Sequence, residues 1–125
     1  MVFKIKTSKK TMEFFESINA SENLPPFILS KLAISMSLKY RQPLSDKDFT
    51  TDTLRLELNR QTITGEYDEL FKCLIEKFEN KHLNDDEYFQ KYLKAHMDRG
   101  AQLIYGEFKY GRDFLLQLLK EDIGL

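Results

Sequence analysis

The middle of the chain reads Leu54-Arg55-Leu56-Glu57-Leu58-Asn59-Arg60, in which apolar and polar side chains alternate. Alternation with a period of two is typical of a strand with one buried face, although the start of a helix is also compatible with it. Residues 62–65 then predict a turn, and Thr64 can cap a helix that extends from Gly65 to about Glu79. The predicted core-facing side of this helix consists of Tyr67, Leu70, Phe71, Leu74 and Phe78.

The residues before this stretch predict a strand and two helices. Residues 2–7 alternate in the same way and indicate a short half-buried strand. Ser8 can cap a first helix that ends near Asn19, and Pro25-Pro26 can open a second helix that ends near Tyr40. This order resembles that of ribbon-helix-helix proteins, in which strands from two chains pair and present side chains to DNA.

The second helix is apolar on two faces. One stripe consists of Ile28, Leu29, Leu32, Ala33 and Met36, and the other of Phe27, Ile34 and Leu38. A helix of this kind is either central to its fold or half of a subunit interface. In so short a chain the pattern favours the interface.

The rest of the chain predicts more helix. A fourth helix begins near Asp85, and a last amphipathic helix extends from Asp113 to about Lys120. The predicted fold class is therefore mainly α. We expect one compact helical domain over residues 1–125, with four to five helices and one or two short strands.

Charge, cysteine content and missing motifs limit the kinds of function that the chain can have. The net charge is −1, but residues 1–41 carry a balance of +4 and residues 42–125 a balance of −5. The single cysteine and the lack of a long apolar run predict a cytoplasmic protein without disulfides. The sequence contains no phosphate-binding glycine loop, HExxH, CxxC or GxSxG motif, so we expect no metal and no cofactor.

Four lysines near the start are the best candidates for contact with an anionic polymer. Lys4 and Lys6 share one face of the first strand, while Lys9 and Lys10 stand beside the backbone N–H groups at the start of the first helix. The alternative is that these lysines only solvate an edge strand and prevent its aggregation.

Three residues of the fourth helix have predicted roles. The helical phase places His96 within an apolar stripe, either as a core histidine bonded to a carbonyl or to Glu66 or Asp68, or as a proton-handling group. Arg99 is expected to form an ion pair, with phosphate contact as the alternative. Gly100 inside a helix indicates the close approach of another backbone.

Two motifs carry a resemblance to a known family. The segment Asn59-Arg60-Gln61-Thr62-Ile63-Thr64-Gly65-Glu66-Tyr67-Asp68 is similar to the N-R-x-T-[LI]-T-G-E-[YW]-D signature of DndE proteins. His96-Met97-Asp98-Arg99-Gly100 resembles their second motif, H-x-x-R-G, and the proline-opened second helix resembles theirs as well. The likeness covers nearly the whole chain.

The resemblance implies a part in DNA phosphorothioation, a restriction-modification chemistry that replaces a non-bridging phosphate oxygen of DNA with sulfur. It implies a homo-oligomer, with a tetramer favoured, that binds intact or nicked duplex DNA through surface lysines. The implied partners are an ATPase-like protein and an iron–sulfur protein. It also makes Cys73 a candidate sulfur carrier, although its acidic neighbours favour an incidental thiol.

One segment departs from the family pattern. The resemblance implies a basic, glycine-containing turn between the first two helices, whereas residues 17–23 here contain no lysine, arginine or glycine. We therefore expect DNA contact to depend on Lys4, Lys6, Lys9 and Lys10. The sequence leaves three hypotheses in order of preference: a DNA-binding accessory subunit, an assembly factor without DNA contact, and an enzyme that acts through His96.

Overall fold

The structure, a computed structural model, describes residues 2–54 and 57–110 and is mainly helical, as predicted. Its strands are β1 (Lys4–Lys6) and β2 (Glu57–Asn59). Its helices are α1 (Lys9–Glu22), α2 (Pro26–Lys39), α3 (Asp46–Phe49), α4 (Arg60–Ile63), α5 (Asp68–Glu79) and α6 (Lys94–Tyr110). A 3-10 turn (Gly65–Tyr67) precedes α5, and a π-helical segment (Glu87–Leu93) leads into α6. The helix predicted from Asp113 lies outside the described residues.

The two predicted strands form one antiparallel pair. Ile5 lies opposite Leu58, and Ile5 is buried while its neighbours Lys4 and Lys6 are exposed. The order of strand, helix and helix is confirmed. The partner of β1, however, comes from the same chain, so the analogy with ribbon-helix-helix proteins is limited to the order of the elements.

Helix α1 begins where the sequence predicts and ends later. The Ser8 hydroxyl accepts a hydrogen bond from the Thr11 N–H at 3.1 Å, which caps the helix. The helix continues to Glu22 and not to Asn19, because the left-handed conformation that ends it is adopted by Asn23 (φ 56°). Its buried side consists of Thr11, Met12, Phe15 and Ile18.

Helices α2 and α6 form the centre of the fold. Leu29, Ala33 and Ile34 of α2 are fully buried, so α2 is central to the fold, which is the alternative that the sequence did not favour, and its part in a subunit interface stays a prediction. The close backbone approach predicted for Gly100 is confirmed, because an added Cβ there would lie 1.6 Å from the carbonyl oxygen of Ala33. None of the helices in the described ranges is long and apolar enough to span a bilayer.

Helix α5 is turned differently from the prediction. Phe71 and Ile75 are its buried residues, whereas Tyr67, Leu70 and Leu74 are exposed. The predicted core side is therefore correct only for Phe71 and for the half-buried Phe78.

Candidate functional site

The four candidate lysines are all exposed. Lys4 and Lys6 lie on the solvent side of β1, and Lys9 and Lys10 lie in the first turn of α1. None of them forms an ion pair with another residue in the ranges 2–54 and 57–110. Lys6 faces Glu57 across the strand pair, so one acid lies close to this group. The lysine side chains are therefore accessible to an anionic partner.

The backbone N–H groups beside these lysines are partly occupied. The Lys9 N–H donates to Asp52 at 2.9 Å, and the Thr11 N–H donates to Ser8. Hydrogen bonds from the N–H groups of Lys9 and Leu54 hold the pKa of Asp52 below its ordinary value. A carboxylate therefore already occupies one of the N–H groups at the start of α1, and attraction of a further anion by the remaining amides stays a prediction.

The first family motif is organised around Arg60. Its guanidinium donates to Asp68 at 3.1 and 2.8 Å and to Asp85 at 3.0 and 2.8 Å. It also donates to the carbonyl oxygen of Val2 at 2.9 Å. The Arg60 side chain is only 13% exposed. One arginine thus joins the start of the chain, the start of α5 and the residues that lead into α6.

The neighbours of Asp68 complete this cluster. Thr64 and Tyr88 donate hydroxyl hydrogen bonds to its carboxylate at 2.7 and 2.9 Å. Burial raises the pKa of Asp68, but hydrogen bonds from Arg60, Thr64 and Tyr88 outweigh it and leave the pKa below its usual value. The Arg60 hydrogen bonds lower the pKa of Asp85 to about 2, so both carboxylates are charged at neutral pH.

The other motif residues shape the corner beside this cluster. Gly65 has a φ of 57°, a conformation that side-chain-bearing residues rarely adopt, so the turn requires glycine. Asn59 and Glu66 are exposed. Asn59 and Gly65 line a shallow depression of about 430 Å³ together with Phe3 and Arg60. The motif therefore combines an internal ion-pair cluster with an exposed corner.

We expect Arg60→Ala to lower the free energy of unfolding by about 2–4 kcal/mol, because it leaves two partly buried carboxylates without their cation. Urea denaturation measures the change, with Lys47→Ala as an exposed control. The folded carboxylates have pKa values below their ordinary 3.8, so their contribution is complete above about pH 4 and lost as the pH falls towards 2. A loss no larger than that of the control contradicts a stabilising role.

His96 is a buried core histidine, as predicted, but its partners differ from those predicted. Its Nδ1 lies 2.8 Å from the Ser37 hydroxyl, and its Nε2 faces Glu79 at 3.3 Å. Ser37 accepts a hydrogen bond from Arg99, which leaves the hydroxyl hydrogen for Nδ1 and places the ring proton on Nε2. Burial and then the charge of Arg99 lower the pKa of His96 to about 3, so the ring is neutral.

The acids expected beside His96 lie elsewhere. Asp68 is bound to Arg60, and Glu66 is exposed on the turn before α5. The expected pairing of His96 with either acid is therefore wrong. Glu79, the acid that His96 does face, has its pKa raised by burial. The structure does not bring together the groups on which the enzyme hypothesis depended.

Arg99 has neither of its predicted roles. It is 8% exposed, and its guanidinium donates to the carbonyl oxygens of Ser37 at 2.7 Å and Gln42 at 2.6 Å. No carboxylate in the described ranges lies within ion-pair distance of it. Burial lowers its pKa from the ordinary value. Arg99 therefore fixes the end of α2 and the following loop against α6, and it is not accessible to a phosphate.

Sequence reasoning missed a second buried polar network, around Asp98. Asp98 is 1% exposed and accepts hydrogen bonds from Thr11 at 2.6 Å and Lys94 at 2.7 Å. It also accepts one from Thr51. The spacing of Lys94 and Asp98 by four residues was the available signal. The network joins α1, the loop after α3 and α6.

Cys73 is exposed on α5. In the ranges 2–54 and 57–110, no group of three or more histidine, cysteine or acidic residues is arranged to hold a metal ion. The buried polar residues of both family motifs form hydrogen bonds or ion pairs within the fold, whereas the four candidate lysines are exposed.

Comparison with known proteins agrees with the motifs. The family model described as DNA sulphur modification protein DndE matches residues 4–111. A search of curated proteins gave no match. One similar solved structure is the crystal structure of DndE from Escherichia coli B7A, involved in DNA phosphorothioation modification. Its sequence is 18% identical to this one, and the two folds superpose with a TM-score of 0.67. The match covers 81% of this chain and 96% of that one. Another is the crystal structure of a glycine-to-lysine mutant of DndE, also involved in DNA phosphorothioation, whose sequence is 17% identical to this one. The TM-score is 0.66, and the match covers 82% of this chain and 97% of that one.

At this level of identity the two solved structures show that the fold is shared. The family model shows the membership, because it extends over most of the chain, including both motifs. The resemblance drawn from the sequence is confirmed. This chain belongs to the DndE family of DNA sulphur modification proteins.

Proposed function

We propose that the protein is a non-catalytic subunit of a DNA phosphorothioation system that binds duplex DNA, intact or nicked, through Lys4, Lys6, Lys9 and Lys10. The observation that carries the proposal is the exposure of these four lysines within seven residues, without ion pairs in the described part of the chain. Lysines in this arrangement can neutralise successive phosphates without reading base sequence. The proposed site of action is the cytoplasm.

A binding role fits the state of the buried polar groups. His96 is neutral and enclosed, Arg99 is bonded to carbonyl oxygens, and Arg60 is held by two aspartates. These three side chains are enclosed by the fold, which leaves a substrate little access to them. The chemistry of sulfur insertion is accordingly assigned to the ATPase-like and iron–sulfur partners, and this subunit supplies DNA contact and assembly, as a homo-oligomer with a tetramer favoured.

A second candidate function is assembly of the modification complex without DNA contact. The observation that favours it is the exposure of large apolar side chains on α5 and at the start of α2, which is typical of protein contacts. Both functions are compatible in one molecule, so the experiment must separate DNA binding from co-purification with the ATPase-like partner.

We expect the simultaneous substitution of Lys4, Lys6, Lys9 and Lys10 by glutamine to weaken duplex binding by about tenfold or more at low salt, because phosphate contacts supply most of non-specific affinity. Gel shifts with intact and nicked duplex of the same sequence measure this. The matched control replaces four exposed lysines elsewhere, with the same change in net charge: Lys39, Lys47, Lys81 and Lys91.

Equal losses in the two variants contradict the assignment of these four residues. Co-purification with the ATPase-like partner is measured on the same two variants. If the unsubstituted protein does not shift either duplex, and co-purification survives the loss of the four lysines, the assembly function replaces the DNA-binding one.

A further inference from the structure

Two shallow depressions meet at the corner made by Gly65, just before α5. The first has a volume of about 710 Å³ and extends towards the start of α2, and the second has a volume of about 430 Å³ and extends towards the end of β2. Gln61 and Gly65 line both of them. Apart from its chain neighbours, the nearest atom to a Cβ added at Gly65 is the Gln61 amide nitrogen at 3.8 Å, so the corner itself is open. We call the surface of these two depressions the corner trough.

Three aromatic side chains of the corner trough are exposed. Phe3 is 65% exposed, Phe27 is 52% exposed and Tyr67 is 48% exposed. The ammonium group of Lys31 lies over the Phe27 ring, 5.8 Å from its centre. Within residues 2–54 and 57–110, no aromatic ring or cation lies over Phe3 or Tyr67. Their ring faces are therefore open to a planar group from outside the fold.

Polar side chains lie between and beside these rings. Asn59, Gln61 and Glu66 line the corner trough and are exposed. The two amides can donate and accept hydrogen bonds, and the carboxylate can accept them from an amino group. Open aromatic faces beside such groups suit a nucleobase, which stacks through its ring and forms hydrogen bonds through its edge. Leu70 and Leu74, the exposed apolar residues of α5, lie outside both depressions.

The corner trough adjoins the lysines that are proposed to contact phosphates. Lys4 follows Phe3 in the sequence and lies opposite Asn59 in the strand pair. Successive side chains of a strand point to opposite faces, so Phe3 and Lys4 lie on the two sides of β1. The sheet has only two strands, so a DNA strand whose phosphates meet Lys4 can turn a base over the sheet edge. A base within a duplex is stacked and paired, so only an unpaired base can enter the trough.

We propose that the corner trough binds an unpaired base of a DNA strand, stacked on Phe3 or Tyr67, with the edge of the base against the polar side chains of the trough. The inference rests on the DNA binding of the proposed function and adds a second kind of contact to it. The lysines neutralise phosphates whether or not the bases are paired. The trough adds affinity only where a base is free to leave the helix, so it selects among DNA structures.

The test compares two duplexes that carry the same short bulge, one with adenines in the bulge and one with abasic residues, so that only the bases differ. Fluorescence anisotropy measures both affinities. The unsubstituted chain is expected to bind the adenine bulge about tenfold more tightly, because stacking on an aromatic side chain contributes about that much for each base. The double variant Phe3→Ala with Tyr67→Ala should lose this preference and keep its affinity for fully paired duplex. Tyr40→Ala is the matched control, since Tyr40 is also 52% exposed but follows the end of α2.

The fluorescent adenine analogue 2-aminopurine, placed in the bulge, gives a readout that does not depend on affinity. Its emission should fall when the unsubstituted chain binds and stay high with the double variant. Equal affinity for the two bulges, or a preference that the double variant keeps, overturns the inference. Loss of co-purification with the ATPase-like partner, without any base preference, also overturns it and makes the trough a protein contact. Binding of fully paired duplex, and its dependence on the four lysines, is scored separately and tests only the proposed function.

Discussion

Gly100→Ala is expected to abolish the native fold. The added Cβ would lie 1.6 Å from the carbonyl oxygen of Ala33 and 2.3 Å from its carbonyl carbon. Both atoms belong to the backbone of α2, so no side-chain rotation can relieve the overlap, and α2 must move away from α6. Because this crossing is the centre of the core, we expect the free energy of unfolding to fall by more than about 4 kcal/mol, and few small domains remain folded after such a loss. Soluble yield and circular dichroism measure it.

Gly106→Ala is the matched control, in the same helix. Nothing lies within 4 Å of the Cβ that this change would add. Alanine favours helix over glycine by about 1 kcal/mol, so this variant should be as stable as the unsubstituted protein or more stable. A folded Gly100→Ala protein with stability close to that of Gly106→Ala would show that α2 and α6 do not cross as described.

Asp98→Ala is expected to lower the free energy of unfolding by about 3–5 kcal/mol, because the nearly buried ammonium group of Lys94 loses the carboxylate that pairs with it. The Lys94 side chain is 11% exposed, and that of Asp98 is 1% exposed. The hydroxyl groups of Thr11 and Thr51 lose their acceptor at the same time. Urea denaturation compares this variant with Asp86→Ala, which removes an exposed carboxylate near the start of the same helical segment.

The double variant Lys94→Met with Asp98→Leu separates the charge from the packing. Replacing both charges by apolar groups of similar size avoids the unpaired ammonium, so it is expected to recover much of the stability lost in Asp98→Ala. If the double variant is less stable than Asp98→Ala, the loss comes from packing or from the threonine hydrogen bonds and not from an uncompensated charge.

Local patterns in the sequence predicted the elements whose causes are local. The alternation in residues 2–7 and 54–60 predicted both strands, Ser8 predicted the start of α1, and Pro25-Pro26 predicted the start of α2. Gly100 predicted a close backbone contact because a helix gains nothing else from an interior glycine. These features depend on residues within one turn or one strand of each other.

Long-range pairing was not predictable in the same way. Asp98 meets Thr11 across 87 residues, and His96 meets Ser37 across 59. Residues 94–101 are all buried although they include a lysine, an aspartate and an arginine. Lys94 and Asp98 pair with each other, and hydrogen-bond partners from other elements complete the surroundings of Asp98 and Arg99. Because these residues include polar and charged side chains, the sequence did not indicate that this stretch of α6 is its most buried part.

The same limitation applies to α2. Its two apolar stripes favoured a subunit interface because the chain is short, and the sequence did not reveal which element covers them within the fold. The partner is α6, which packs through Gly100 and its small and polar neighbours. The opposite happened at α5, where Leu70 and Leu74 were predicted to face the core but are exposed to solvent.

The salt dependence of duplex binding by the unsubstituted protein tests the central claim most directly. If Lys4, Lys6, Lys9 and Lys10 each neutralise one phosphate, the logarithm of the association constant should fall against the logarithm of salt concentration with a slope of roughly −3 to −4 for each copy in contact with the duplex. The slope should approach zero when the four lysines are replaced by glutamine. Duplex binding that is absent at low salt, or whose slope the four substitutions leave unchanged, contradicts the account.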